Sequence, residues 1–416
     1  MRILYCHQHF STPKGSTGIR SYAMAQQAIT KGHEVTMVCG SYHGGSTGIS
    51  GPFSNGKRQA FVDGINVIEF DLGYSNSDGL LRRSLTFCKF AVKSVILALT
   101  YNYDLVFATS TPLTAGIPGI FARWLRGKPF IFEVRDLWPE LPKTMGVIKN
   151  PFILWTLALL EWCSYRSAHL CIGLSPGIVE GIVASGVNKQ KVVLIPNGCD
   201  LNIFANKNDV IENVQKNQLN GISDSNLVAV YAGTHGLANG LDAVLHTAVV
   251  LKNRDRRDIK LVLIGQGKLK PSLELRAKNL GLDNIIFHKP VNKEALVKIM
   301  SESDVGMQLL ANIPSFYYGT SPNKFFDYIS IGLPVLNNYP GWLAGLIDEY
   351  DCGFTVPPDD AEAFADALEQ AADNRDALRL KGCNARDLAV SDFDREKLSH
   401  TWVCVLEGLL EKSKSI

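Results

Sequence analysis

Leu227-Val228-Ala229-Val230-Tyr231, followed almost at once by Gly233-Thr234-His235-Gly236, decides the fold of this chain. The first five residues form an apolar run of strand length, as expected of a parallel strand covered on both faces. The glycines that follow mark a tight exit at its carboxyl end. The stretch Asn202 to Asn226 before it is polar with weak helical pattern and reads as a linker. Strand and helix signals therefore begin afresh at Leu227, continuing through Lys260–Ile264, Asn284–Phe287, Val305–Leu309 and Pro334–Leu336.

An equivalent series lies upstream. Ile3–Tyr5, Glu34–Val38, Ile65–Ile68, Asp104–Phe107, Phe130–Phe132, Leu170–Ile172 and Val192–Ile195 read as strands. Helical patterns separate several of them, notably Arg20 to Lys31 and Pro151 to Ala168, and Gly32-His33 ends the first helix tightly. Two such series predict an α/β protein of two doubly wound, Rossmann-like domains facing across a cleft. The expected boundaries are 1–200 and 201–394, with a helix at about 395–416 rejoining the first domain. Ligands of such sheets bind beyond the carboxyl ends of the strands.

Size and charge agree with two domains. The 416 residues exceed one comfortable core. Residues 1–200 hold 19 Lys and Arg against 12 Asp and Glu, a balance of +7; the remainder holds 23 against 28, a balance of −5. A basic first half suits an anionic surface or a phosphorylated acceptor. Its cations are dispersed without interleaved aromatics, which argues against nucleic acid. Nine scattered cysteines without a C-x-x-C pair, and a first strand beginning at Arg2, predict reduced thiols in a cytoplasmic protein without a leader. Phe87 to Leu99 and Pro151 to Trp162 are apolar but interrupted by Lys89, Lys93 and Glu161. They are expected as core helices, or as a peripheral contact with a membrane surface, since neither is long enough to span a bilayer.

Several motifs carry chemistry. Ser321-Pro322-Asn323-Lys324-Phe325-Phe326-Asp327 opens a helix with a cap-type residue and a proline. Lys324 and Asp327 then share one face, a lysine for a phosphate and a carboxylate one turn deeper for ribose hydroxyls. Gly233–Gly236 and Gly265-Gln266-Gly267 each follow a strand of the same series and converge with Lys324 on one pyrophosphate. Gly15-Ser16-Thr17-Gly18 after the first strand allows close backbone approach but is not the G-x-G-x-x-G dinucleotide fingerprint. Glu133-Val134-Arg135-Asp136-Leu137-Trp138-Pro139-Glu140 places four ionisable groups at one strand's carboxyl end. The histidines are isolated except His7 and His9, and no metal-ligand cluster is expected.

These residues resemble GT-B glycosyltransferases of family 4, in the bacterial surface-polysaccharide branch that includes O-antigen L-fucosamine transferases and colanic-acid transferases. Gly32–Thr36, Glu133–Glu140, Ile195-Pro196-Asn197-Gly198-Cys199-Asp200, Gly265–Gly267 and Pro322–Lys324 through Pro334 carry the resemblance. It implies a retaining transferase that needs no metal and no cofactor beyond its nucleotide-sugar donor, a UDP-linked N-acetylated deoxyhexosamine. The acceptor implied is a polyprenyl-diphosphate-linked saccharide at the inner face of a bacterial membrane. By the same resemblance Lys324, Arg135 and Asp136 are catalytic. Gly18, His235, Gly236, Gly265, Gly267, Lys270, Pro322, Asn323 and Asp327 bind the donor, with Lys268 supplying further charge; Glu133, Trp138 and Glu140 face the acceptor. Two positions depart from the family: Gly319 stands where a first glutamate is usual, and Asp327 replaces the second. His235 and Asn239 stand near where an arginine and a lysine are usual. A UDP-sugar 2-epimerase of the same fold, and a non-catalytic sugar-nucleotide-binding subunit, are the alternatives.

Overall fold

The alternation of inward-facing residues along β1 (Arg2–Cys6) shows how the first sheet is built. Leu4 and Cys6 point into one core layer, whereas Ile3 and Tyr5 point into another on the opposite face. A strand covered on both sides in this way needs helices above and below its sheet. The computed structural model describes residues 1–15, 17–75, 78–202, 222–291 and 293–414. Ser16 and most of the expected linker, 203–221, lie outside the described residues.

The chain divides into two units. Residues Met1–Pro196, Gly319–Ser321 and Arg395–Ile416 form the first, and Asn197–Tyr318 with Pro322–Asp394 the second. The first holds β2 (Glu34–Tyr42), β3 (Lys57–Val62), β4 (Ile65–Tyr74), β5 (Leu105–Thr109), β6 (Phe130–Val134), β7 (Leu170–Gly173) and β8 (Val192–Leu194) beside β1. Their order is β3-β4-β2-β1-β5-β6-β7-β8, parallel throughout except for the β3–β4 pair. On one face lie the helices Leu80–Thr100, Ile117–Arg126 and Pro151–Ser167, through Phe90, Ala122 and Tyr165. On the other lie Arg20–Thr30 and Arg395–Lys414. Trp402 of the last helix stacks on Tyr5 at 5.8 Å and meets the Phe107 edge at 4.9 Å.

The second unit is a six-stranded parallel sheet in the order β11-β10-β9-β12-β13-β14. Its strands are β9 (Leu227–Ala232), β10 (Ile259–Ile264), β11 (Ile285–His288), β12 (Val305–Gln308), β13 (Val335–Asn337) and β14 (Gly353–Thr355). All the strands expected from sequence are present. β3 and β14 were not expected. The first is joined to β4 by Asp63-Gly64, both at positive φ, the two-residue turn that suits the right-handed twist of a hairpin. At Gly32 (φ +78) the first helix closes with His33 N–H donating to the Ala28 carbonyl at 3.0 Å, a left-handed ending only glycine makes without strain.

Candidate active site

In the second unit two strand exits and a helix start meet. β9 runs into Gly233–Gly236, β10 into Gly265–Gly267, and the helix Asn323–Ser330 begins beside them. Sequence placed Ser321 as the cap of that helix; the structure puts Pro322 there, with extended backbone and no side-chain cap. Proline has no N–H to satisfy, so it suits the position, and its carbonyl accepts from the Phe325 N–H at 3.2 Å, though it brings no side-chain acceptor to the first turn. Lys324 is partly buried, its ammonium 5.1 Å above the Tyr231 ring and 3.5 Å from the Asn239 amide oxygen. A side chain at Gly233 would come within 3.3 Å of the Lys324 stem, so the glycine makes room for the lysine. Burial pushes the lysine down to about 8, and the charge of Asp327 only partly restores it. A lysine so far below its ordinary range is poised to gain from a nearby anion.

The two glycine loops lock together. His235 N–H donates to the Gln266 carbonyl at 3.1 Å, and Leu269 N–H donates to the His235 carbonyl at 3.0 Å. Gly265 sits at φ +145 with its would-be Cβ 1.9 Å from the Gly233 carbonyl, and a Cβ on Gly267 would lie 2.4 Å from that of His235. Two sequence expectations change here. Lys270 is buried and donates to the Gly265 carbonyl at 2.9 Å and the His288 carbonyl at 2.6 Å, so it ties the Gly265 loop to the end of β11 instead of offering a free charge. The His235 ring is fully buried between Tyr231 and Phe287, held neutral with its pKa lowered to about 4 by burial and the Lys270 charge. Its backbone shapes the loop, while its ring presents no surface to a ligand. Gly236 and Pro322 are partly exposed and Asn323 is exposed. A side chain at Gly319 would meet nothing within 4 Å, so packing does not demand the glycine that stands in place of an acid.

In the first unit the charged loop after β6 separates into two kinds of residue. Glu133 is fully buried, and both its oxygens are engaged. Arg20 bonds one at 2.9 Å, and the Thr109 hydroxyl donates to the other at 2.8 Å. Arg20 in turn donates to the Ile195 carbonyl at 2.9 Å. Glu133 therefore cannot face an acceptor as expected; it closes a buried ion pair that fixes the start of the Arg20–Thr30 helix. Arg135 is held by Thr109 at 2.8 Å, Ser21 at 3.3 Å and Glu133 at 3.4 Å, with its side chain 21% exposed. Burial raises the Asp136 carboxyl, with Arg135 and Thr111 pulling back. Trp138 packs against the sheet's core, whereas Glu140 is exposed at the start of the short helix Glu140–Thr144. Gly18 is exposed two residues before the Arg20 helix.

The neighbouring end of β1 holds what sequence reading passed over. His9 Nδ1 bonds the Thr111 carbonyl at 3.1 Å, which fixes the proton there and leaves Nε2 a lone pair. That lone pair is buried and unpartnered, as are His7 Nδ1 and the Gln8 amide. Burial lowers His9 to about 4, so it stays neutral and can accept a hydrogen bond from a hydroxyl. The alternation of His7 and His9 at a strand end is the sequence signal for this pair.

Comparison with known proteins agrees with this architecture. A family model described as a glycosyl transferase 4-like domain matches residues 16–198, and one described as glycosyl transferases group 1 matches 214–387. A protein of Escherichia coli K12 that carries the name colanic acid biosynthesis glycosyl transferase WcaI is 20% identical over 404 residues, 94% of this chain and 97% of its own. The UDP-Gal:alpha-D-GlcNAc-diphosphoundecaprenol alpha-1,3-galactosyltransferase of Escherichia coli is 26% identical over 218 residues, 50% of this chain and 52% of its own. Among solved structures, sucrose-phosphate synthase from Thermosynechococcus elongatus superposes with a TM-score of 0.76 at 18% identity, covering 99% of both chains. HepE of Anabaena, in complex with UDP and glucose, gives 0.67 at 16% identity over 98% of this chain and 99% of its own. The chain belongs to the GT-B glycosyltransferases of family 4, a glycosyl transferase 4-like unit followed by a group 1 unit.

Proposed function

We propose that this glycosyltransferase moves a sugar from a UDP donor onto a polyprenyl-diphosphate-linked saccharide, with retention of configuration, in the assembly of a bacterial surface polysaccharide. The observation that carries the reading is the meeting of Lys324 with the two interlocked glycine loops. The names of the colanic-acid and diphosphoundecaprenol relatives, and of the UDP-bound structural neighbour, support the donor and acceptor classes. In the step itself the bond from the sugar's anomeric carbon to the diphosphate breaks, and a new bond forms to an acceptor oxygen. The acceptor's proton leaves with the diphosphate. Lys324 meets the charge that develops on the departing diphosphate, the kind of electrostatic help that acts most strongly in a site shielded from water. Asp327 is assigned to the ribose, and Arg135 and Asp136 to the sugar being transferred. No cofactor or metal is assigned a part. A lipid-linked acceptor places the reaction at the cytoplasmic surface of a membrane.

The test is transfer from a panel of UDP and GDP sugars to a synthetic lipid-diphosphate acceptor, read by mass spectrometry. One UDP sugar should be consumed only when acceptor is present. Conversion of the donor alone would favour an epimerase, and binding without any transfer a non-catalytic subunit. A sharper expectation concerns the loops. Gly267→Ala forces a methyl group against the His235 backbone. It should destabilise the second unit by about 1–3 kcal/mol and weaken UDP binding by about tenfold or more. Calorimetric titration reads the affinity and a thermal melt the stability; unchanged UDP affinity would remove these loops from the donor site.

A further inference from the structure

Five neighbouring strands of the first sheet bring their carboxyl ends to one place. Tyr74 ends β4 and Tyr42 ends β2, while His9 follows β1, Thr111 follows β5 and Asp136 follows β6. The His9 ring is closely held there. Its centroid lies 4.7 Å from Tyr74, 5.2 Å from Tyr42 and 6.4 Å from Phe87, and the Tyr42 hydroxyl donates to its carbonyl at 3.0 Å.

Thr111 is the unusual member. Its φ of +102 lies where a β-branched residue rarely goes, so the surrounding structure holds it against its own preference. From that position its carbonyl takes the Nδ1 proton of His9 at 3.1 Å, and its hydroxyl reaches Asp136 at 3.5 Å. One strained residue therefore sets two polar side chains.

Two groups beside Tyr74 nevertheless lack a partner. One is the lone pair on His9 Nε2, and the other is the Nε–H of Arg83, whose guanidinium lies 5.8 Å from the Tyr74 ring on the far end of the same helix as Phe87. A buried acceptor and a buried donor left open cost stability unless a ligand completes them. Their chemistry restricts that ligand. The neutral imidazole needs a proton donor, which no carboxylate or phosphate oxygen supplies, whereas the guanidinium suits a phosphate. A sugar hydroxyl beside a diphosphate meets both demands, and the aromatic rings between them suit the carbon face of a sugar.

We propose that His9 and Arg83 form the acceptor subsite: Nε2 of His9 accepts a hydrogen bond from a hydroxyl of the acceptor saccharide, Arg83 meets its diphosphate, and Thr111 positions the imidazole. The inference rests on the lipid-diphosphate acceptor proposed above.

The experiment pairs kinetics with nitrogen-15 histidine spectra of the full chain. His9→Phe keeps a ring among the aromatics and removes the lone pair; it should raise the acceptor KM about tenfold or more, with the donor KM and the UDP affinity within about twofold of wild type. His9→Gln restores an acceptor oxygen and should recover part of the loss. Arg83→Gln should weaken a diphosphate-linked saccharide but not the same saccharide as an alkyl glycoside. Thr111→Gly, which suits the positive φ, should raise the acceptor KM without lowering the thermal melt, a result no purely structural role would give. In the spectra His9 should carry its proton on Nδ1, and its Nε2 signal should move when the lipid-diphosphate saccharide is added. An unchanged acceptor KM in H9F, a change confined to the donor KM, or a proton on Nε2 would each overturn the subsite. If no donor and acceptor pair turns over, the transferase reading has failed, and the Nε2 signal decides alone: silence toward every lipid-diphosphate saccharide removes His9 from recognition.

Discussion

Replacing Lys324 by methionine is expected to lower transfer by about 10²–10³-fold and, at pH 7, to raise the stability of the unliganded protein. The two effects have one origin. Burial holds the lysine near 8, against an ordinary value of 10.5, so folding disfavours its charged form. That cost is fully present below pH 8, fades as pH rises, and is gone above the ordinary value, where both states are neutral. The shift sets a ceiling of about 3 kcal/mol, and the ammonium's contacts with Tyr231 and Asn239 offset about 1–2 kcal/mol of it. Methionine keeps the stem beside Gly233 and removes the charge. The variant should therefore melt a few degrees higher at pH 7, with the gap narrowing between pH 8 and pH 10 and closing only above the ordinary value. A diphosphate should pull the wild-type lysine back toward its ordinary value. UDP binding at pH 8.5 should then take up a proton, visible as a dependence of the calorimetric enthalpy on the buffer's ionisation heat, and absent from the variant. Normal transfer by the methionine variant would remove Lys324 from catalysis; equal melting at pH 7 would remove its desolvation.

The strand alternation was legible because parallel strands are buried on both faces, so β9 announces itself as an unbroken apolar run and β1, β6 and β10 as apolar runs with a single charged residue each. β3 escaped because one of its faces is solvated, and its Lys57-Arg58-Gln59 start resembles a loop. Its Asp63-Gly64 turn was a readable signal that went unused. The site was legible wherever backbone conformation dictates residue type, as at Gly265 and Gly267. It failed for charged side chains, because sequence gives a charge without its partner. Glu133, Lys270 and Lys324 look alike as polar residues near strand ends. Only packing separates a carboxylate closed by Arg20 and a lysine tied to two carbonyls from a lysine that is partly exposed and has one amide oxygen at 3.5 Å. The helix Pro151–Ser167 shows the same gap reversed: its hydrophobicity was plain, yet no residue between Pro151 and Cys163 is buried, so it is not the core helix expected.

Removing the Glu133 carboxylate is expected to have the largest effect on folding of any change in the first unit. The carboxylate and the Arg20 guanidinium are both buried and form each other's shortest ion pair, 2.9 Å, with Arg135 a second cation 3.4 Å from the carboxylate. Burial alone would raise Glu133, but Arg20 and then Arg135 outweigh it and hold the carboxyl below its ordinary range. Glu133→Ala leaves Arg20 buried without its partner, at a cost of about 3–5 kcal/mol, a large fraction of the 5–15 kcal/mol typical of a domain. Because Arg20 also donates to the carbonyl of Ile195, the loss should loosen the exit of β8 and the start of the Arg20–Thr30 helix together. If the alanine variant does not accumulate, Glu133→Gln keeps the shape and removes the charge, and R20M/E133Q removes the stranded cation. The double variant should then recover stability relative to E133Q, a coupling that two independent sites would not give. A carboxylate held below its ordinary range contributes stability above that range and loses it as pH falls through its folded value. The gap between wild type and E133Q should therefore be full at pH 6–7 and close on acidification. The same variant separates structure from recognition: below its melting temperature it should keep the wild-type KM for acceptor, since the side chain has no surface with which to touch one. A raised KM at unchanged stability would return Glu133 to the acceptor site.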